Sequence, residues 1–193
     1  MKGKLIVFEG IDGVGKTTLS LILKNRLKKS GIKVIRYEDI EKKNQGFNLI
    51  KNFVKKEADI NSSLFFYIAS AIYKSQIIGK ILEKNRWVLC DRYVFSTLAY
   101  HKIRGAKTGC FKNVNSLPII FPDFTFLIKT KEKVRMGRIL KRITNTKYDL
   151  KKKSDDKMIA KMEKELEKFK PLILDNSYES PEETAEKILG IIR

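Results

Sequence analysis

An α/β domain with a five-stranded parallel sheet flanked by helices in three layers is what this 193-residue chain predicts, on three observations. Short β-rich apolar runs alternate with helical stretches from end to end. The first of these runs, Leu5-Ile6-Val7-Phe8, leads directly into a glycine-rich turn followed by a helix, the context of a phosphate-binding loop. No internal repeat, linker or low-complexity tail divides the chain, so residues 1–193 read as one domain. At that size a domain buries roughly 70% of the surface its unfolded form exposes.

The elements follow in order. Lys4 to Phe8 is the first strand. Thr17 to Lys29 is a helix with Leu19, Ile22, Leu23 and Leu27 on one face and Gly31 as its stop. Lys33 to Tyr37 is the second strand. Gly46 to Lys56 carries Phe47, Ile50, Phe53 and Val54 at helical spacing. Ser62 or Ser63 can cap a long helix reaching about Glu83, apolar nearly all round in its first half and so facing the interior or a partner. Trp87 to Cys90 is a buried strand, followed by a helix to about Ile103 and a loop through Gly105 and Gly109. Asp123 leads into strand Phe124 to Ile128, then a basic helix runs from Lys131 to about Arg142. A polar stretch, 143–154, separates it from a helix over Asp155 to Lys170. Leu172 to Asp175 is the last strand. Ser180-Pro181-Glu182-Glu183 opens the terminal helix with a cap, a first-turn proline and acids at its positive end.

The most informative stretch is Val7 to Thr18, in which Gly10, Gly15, Lys16 and Thr17 fill the pattern G-x-x-x-x-G-K-[ST]. Gly10, Gly13 and Gly15 let the backbone turn tightly and bring N–H groups, those of Ile11, Asp12 and Val14 among them, close to phosphate oxygens. Lys16 sets a positive charge on the β and γ oxygens of a triphosphate, where charge redistributes as the γ-phosphoryl leaves. Thr17 offers a hydroxyl to Mg²⁺, and the helix opening at Thr18 points its positive end at the anion.

A phosphate loop alone allows a GTPase, a motor ATPase or a small-molecule kinase. The guanine-reading pattern Asn-Lys-x-Asp is absent. A hydrolytic ATPase ends a second apolar strand on Asp-Glu, whereas this run ends Asp91-Arg92. Asp91 can hold the Mg²⁺, and the Arg92 guanidinium suits a second phosphate gripped bidentately in line with the first. The acceptor is then itself a phosphate monoester, whose oxygens are ionised at pH 7 and need no dedicated base. On its own Asp91-Arg92 reads as a strand-end salt bridge; beside a phosphate loop, parallel neighbouring strands put both at the edge of the sheet where ligands bind.

Composition narrows the setting. The net charge is +19, from 41 Lys+Arg against 22 Asp+Glu. The lysines are scattered along helices rather than gathered with aromatics into a stacking platform, which argues against a polynucleotide as the main ligand. The field would still speed encounter with small anions. Cys90 and Cys110 lack metal-type spacing, and His101 is the only histidine, which leaves no zinc site or histidine triad to infer. No apolar stretch reaches the about 20 residues a bilayer requires, and the opening residues do not read as a signal peptide. A reducing cytoplasm fits this best.

Phe8-Glu9-Gly10-Ile11-Asp12-Gly13-Val14-Gly15-Lys16-Thr17-Thr18, together with Asp91-Arg92-Tyr93-Val94-Phe95-Ser96-Thr97-Leu98-Ala99-Tyr100, resembles the thymidylate kinase family of nucleoside monophosphate kinases. The likeness spans nearly the whole chain, more weakly after Gly105. It implies a P-loop kinase fold with a lid at about 143–154, ATP as donor, dTMP as acceptor, Mg²⁺ and a homodimer. It further implies Asp12 as partner of the acceptor sugar 3′-hydroxyl, Arg92 on the acceptor phosphate, Asp91 near Mg²⁺, Tyr100 by the sugar's 2′ carbon and Phe66 stacked on the pyrimidine. For Phe66, packing in an apolar helix is an equal account. Arg138 and Arg142 match basic positions at the root of the lid.

Three departures stand out. No arginine occupies the base-reading position near Ser70, which leaves Tyr73 or Lys74. After strand two, where family members carry Arg-Glu-Pro, this chain reads Arg36-Tyr37-Glu38-Asp39. The lid segment reads ITNTKYDLKKK instead of an Asp-Arg-x-Glu-like stretch. The expected activity is ATP:dTMP phosphotransfer. The alternatives are a kinase for another deoxynucleoside monophosphate, and a nucleotide-binding protein associated with nucleic acid.

Overall fold

The computed structural model describes residues 2–41, 45–141 and 156–192. Five strands form one all-parallel sheet: β1 (Leu5–Glu9), β2 (Val34–Arg36), β3 (Trp87–Asp91), β4 (Phe124–Lys129) and β5 (Leu172–Asp175), in the spatial order β2-β3-β1-β4-β5. A parallel neighbour needs a crossover, and right-handed crossovers place successive helices on one face or the other according to the direction in which the chain steps. The helices are α1 (Lys16–Lys29), α2 (Glu38–Glu41), α3 (Gln45–Glu57), α4 (Ile60–Leu82), α5 (Val94–Ile103), α6 (Glu132–Leu140), α7 (Asp156–Glu167) and α8 (Pro181–Ile192). α8 packs on α1, while α4, α5 and α7 pack in series.

β1 is the centre of the core. All five of its residues are buried, as expected of a parallel strand covered on both faces. Its register with β3 pairs Phe8 with Asp91, and its register with β4 pairs Phe8 with Phe126, whose rings stack 6.0 Å apart. On α1 the side chains Leu19, Leu23 and Leu27 are fully buried. The helix stops at Ser30, and Gly31 follows with φ 78°, the left-handed conformation that suits glycine after a helix end. In α8 the Ser180 hydroxyl accepts from Glu183 N while the Glu183 carboxylate accepts from Ser180 N at 2.8 Å, a reciprocal capping box.

Three expectations are corrected. The long helix α4 starts at Ile60 and is capped by Asp59, not by Ser62 or Ser63: the Asp59 carboxylate accepts from Asn61 N at 2.8 Å and Ser62 N at 3.2 Å. Asp59 wins because its extended backbone (ψ 167°) aims the carboxylate back over the first turn, which already contains Ser62. On α3 the expected apolar face splits: Phe47 and Val54 turn toward a cavity, whereas Ile50 and Phe53 are 55% and 65% exposed. The basic helix ends at Leu140, two residues before the predicted Arg142. Arg142 and the predicted lid, 143–154, lie outside the described residues.

Truncating the fully buried Leu89 of β3 leaves a void in a core with little room to collapse. Leu89→Ala should cost about 2–5 kcal/mol, seen in urea titration as a lower midpoint at unchanged slope; a loss under about 1 kcal/mol would mean that β3 is not packed as described.

Candidate active site

The turn after β1 and the end of β3 meet at one edge of the sheet because the two strands are parallel neighbours. The turn has the geometry the glycines predict. Gly10 has φ 135°, and a Cβ there would lie 2.4 Å from the Ile128 carbonyl oxygen of β4. Gly15 has φ 103° and faces the Asn176 side-chain nitrogen, 2.7 Å from where a Cβ would sit. Both positions exclude any larger residue, by conformation and by space. Lys16 and Thr17 begin α1, with Thr18 behind them in the first turn.

The two motifs touch. Thr17 Oγ1 donates to Asp91 Oδ2 at 2.9 Å, and Lys16 Nζ lies 3.8 Å from Asp91 Oδ1 while donating to the Ile11 carbonyl at 3.0 Å. Arg92 Nη2 donates to Asp12 Oδ1 at 2.6 Å, and its Nη1 reaches Ser96 Oγ at 3.3 Å. Arg92 is a non-glycine residue in the left-handed region, φ 67°, a conformation kept only where the surroundings determine it.

Much of that determination comes from Glu9, a residue the sequence reading used only as part of a motif. Its carboxylate is 1% exposed and accepts from Tyr93 N at 2.9 Å, Ser96 N at 3.4 Å and the Ser96 hydroxyl. Burial pushes its pKa up, against the pull of Ser96, Arg92, Tyr93 and Lys16. An acid closing an otherwise apolar strand was the available signal. On the other side, Glu38 Oε1 accepts from Asp91 N at 2.7 Å. Lys16 is lowered to about 8, first by burial and then by the Arg92 charge. Arg92 stays raised although burial opposes it, because Asp12 and Glu9 face it.

Two further arginines bind the loop's own carbonyls. Arg138, expected at the lid root, donates to Val14 O at 3.1 Å and Asn176 O at 2.9 Å. Arg135, which the sequence did not single out, is 4% exposed and donates to Asp12 O at 3.1 Å. It sits one turn before Arg138, so the helical periodicity of the basic stretch could have pointed to it.

A cavity of about 1020 Å³ opens from Asp12, Asp91 and Arg92 between α3, α4, α5 and α7. Tyr73 and Tyr100 line it, as do Ser70, Lys74 and Thr97. Phe66 is not among its lining residues: it stacks on Phe47, with centroids 6.0 Å apart, and the neighbouring Tyr67 faces the cavity instead. Arg36 does not line it either. It is buried, 3.8 Å from Glu38 and 3.6 Å from Asp39.

The donor set suits a hard divalent cation. Asp91 Oδ1 is buried with no hydrogen-bond partner, next to the Thr17 hydroxyl. Mg²⁺ takes one or two such oxygens and completes its shell with water and substrate phosphates.

Removing the Glu9 carboxylate would leave three buried donors without a partner. Glu9→Ala should therefore cost about 3–5 kcal/mol in denaturant titration; a loss below about 1 kcal/mol would show that the Asp91–Arg92 step holds its shape without it.

Comparison with known proteins agrees with this architecture. A family model described as thymidylate kinase matches residues 8–188. The chain is 30% identical over 201 residues to a probable thymidylate kinase of Pyrococcus abyssi, covering 100% of this chain and 97% of that protein. It is 38% identical over 142 residues to a thymidylate kinase of Prochlorococcus marinus, covering 67% of each. Among solved structures, thymidylate kinase from Candida albicans superposes with a TM-score of 0.73 at 21% identity, covering 99% of this chain and 91% of that one. The Ehrlichia chaffeensis thymidylate kinase gives 0.67 at 22% identity, with 100% of both chains covered. The match takes in the phosphate loop, the Asp91–Arg92 step and the sheet that joins them, and the chain belongs to the thymidylate kinase family.

Proposed function

We propose that the protein transfers the γ-phosphoryl group of ATP to dTMP, giving dTDP and ADP. The observation that carries this reading is the double contact across one sheet edge, Thr17 to Asp91 at 2.9 Å and Arg92 to Asp12 at 2.6 Å. It sets a donor loop and an acceptor-binding cation against each other. Phosphoryl transfer asks a protein for alignment and charge stabilisation more than for covalent chemistry.

In this reading the loop amides and Lys16 hold the donor phosphates, with Arg138 at the side of the loop. Thr17 and Asp91 would hold Mg²⁺, whose charge would offset that of the donor phosphates. Arg92 exchanges its Asp12 partner for the acceptor phosphate, a better bidentate match for a guanidinium. Asp12 then accepts from the acceptor sugar 3′-hydroxyl. Tyr100 lies by the sugar. The base occupies the cavity near Tyr67, Ser70 and Tyr73, with no arginine among the α4 residues there. Closure of the lid at about 143–154 would exclude water from the transfer. A homodimer through α4, where Phe65 is 57% exposed, and a cytoplasmic setting belong to the same proposal. No described helix is long and apolar enough to cross a membrane.

An ADP-release assay over a panel of nucleoside monophosphates tests the reaction. The highest kcat/KM is expected for dTMP; equal values for dCMP or dGMP would remove the thymidylate assignment. No ADP with any acceptor, together with salt-sensitive DNA binding, would favour a nucleic-acid role. Lys16→Ala should lower kcat by about 10²-fold or more, and Arg92→Ala should lower kcat/KM for dTMP by a comparable factor.

The Lys16 environment adds a pH test. Burial and the Arg92 charge lower its pKa to about 8, and a bound triphosphate favours the charged form. Binding above pH 8 must therefore take up a proton. ATP affinity should be flat below pH 7.5 and fall by up to about tenfold per unit above pH 8, with calorimetric proton uptake in buffers of different ionisation enthalpy. Constant affinity from pH 7 to 9.5 would contradict it.

A further inference from the structure

α4 carries a cation to the cavity wall that neither the phosphate loop nor the Asp91–Arg92 step accounts for. Lys74 is partly buried and lines the cavity together with Arg92. Its Nζ donates to the Arg92 main-chain oxygen at 3.1 Å, lies 3.5 Å from Cys90 Sγ and sits 4.4 Å from the centroid of the Tyr37 ring. A thiol sulfur and an aromatic face are weak partners for an ammonium.

No carboxylate among the described residues lies within 4.0 Å of this ammonium. The two acids nearest in its field are engaged elsewhere: Glu38 accepts from Asp91 N and lies 3.8 Å from Arg36, and Glu41 pairs with Lys51 at 3.3 Å. Burial disfavours the charged form of Lys74, but the surrounding negative field holds its pKa above the ordinary lysine value. Lys74 is charged, with no close counter-ion among the described residues.

Besides Arg92 and Lys74 the cavity is lined by Lys51, Lys55, Arg104 and Arg135; Lys51 pairs with Glu41, Arg135 with Glu132, and Arg104 donates to the Tyr100 hydroxyl. A phosphate monoester carries close to two negative charges at pH 7, and Arg92 brings one positive charge, shared with Asp12. Arg36 is held by Glu38 and Asp39 away from the cavity. Tyr37, the next residue, carries Lys74 on its ring.

We propose that Lys74 is the second cation of the acceptor subsite, binding the monophosphate group of the incoming nucleotide beside Arg92. This rests on the reading of the cavity as the acceptor site. The phosphate oxygens replace the thiol and the ring as partners of Nζ, and the hydrogen bond to the Arg92 carbonyl holds the ammonium at the base of the arginine.

Calorimetric affinities for dTMP and for thymidine, which lacks the phosphate, test the assignment without needing turnover. Lys74→Gln removes the charge and keeps an N–H donor on a side chain one atom shorter; Lys74→Met removes both charge and donor and serves as the second variant, each being checked for folding by thermal melting. Wild-type protein should bind dTMP well above thymidine. Either folded variant should lose about tenfold or more in dTMP affinity, with thymidine affinity within about twofold of wild type. Equal losses for the two ligands, or dTMP affinity unchanged in Lys74→Gln, would make Lys74 a structural tie for Arg92 and overturn the proposal. So would wild-type protein that binds dTMP no better than thymidine. A chain that shows the phosphate-dependent preference but releases no ADP would sink the transfer reading alone.

Discussion

The buried carboxylate of Glu9 is the interaction on which the cleft depends. It closes the central strand and accepts from Tyr93 N and from both the N–H and hydroxyl of Ser96, so it ties the first residues after β3 to the end of β1. The β1–β3 register places Asp91 opposite Phe8. From there Glu9 secures the step at which Arg92 takes φ 67° and turns its guanidinium toward Asp12. A charge at this depth is costly unless its oxygens are satisfied. With them satisfied it specifies one arrangement of the two motifs, something an apolar contact of the same size would do less sharply.

Around that tie, the site is a set of internal contacts that substrates can exchange. Asp12 neutralises Arg92, Asp91 neutralises Lys16, and loop carbonyls occupy Arg135 and Arg138. Each cation is thus held near its working position before an anion arrives, which lowers the ordering cost of binding. Lys74 differs: among the described residues its partners are a carbonyl, a thiol and a ring. The net charge of +19 surrounds all of this with a field that draws phosphates in.

The fold was legible in the sequence to within a residue or two at most strands, because parallel strands buried on both faces read as short continuous apolar runs. The phosphate loop and Asp91-Arg92 were legible because each is a contiguous motif with a mechanism. What escaped was whatever depends on rotation about a helix axis or on a contact between distant residues. Phe66 and Tyr67 are adjacent and both aromatic, and only the packing of Phe47 on Phe66 decides that Tyr67 faces the cavity. Arg36 is buried against Glu38 and Asp39, a packing outcome that the residue's place at the end of strand two does not reveal. Asp59 took the cap from two nearby serines through backbone geometry that residue preferences do not distinguish.

If one cleft holds donor and acceptor together, phosphoryl transfer is direct and requires both to be bound at once. Initial rates of label transfer from γ-labelled ATP to dTMP, measured over a grid of both concentrations, test this most directly. The account predicts double-reciprocal lines that intersect, the mark of a ternary complex. Parallel lines, with label retained on the protein in the absence of dTMP, would contradict it.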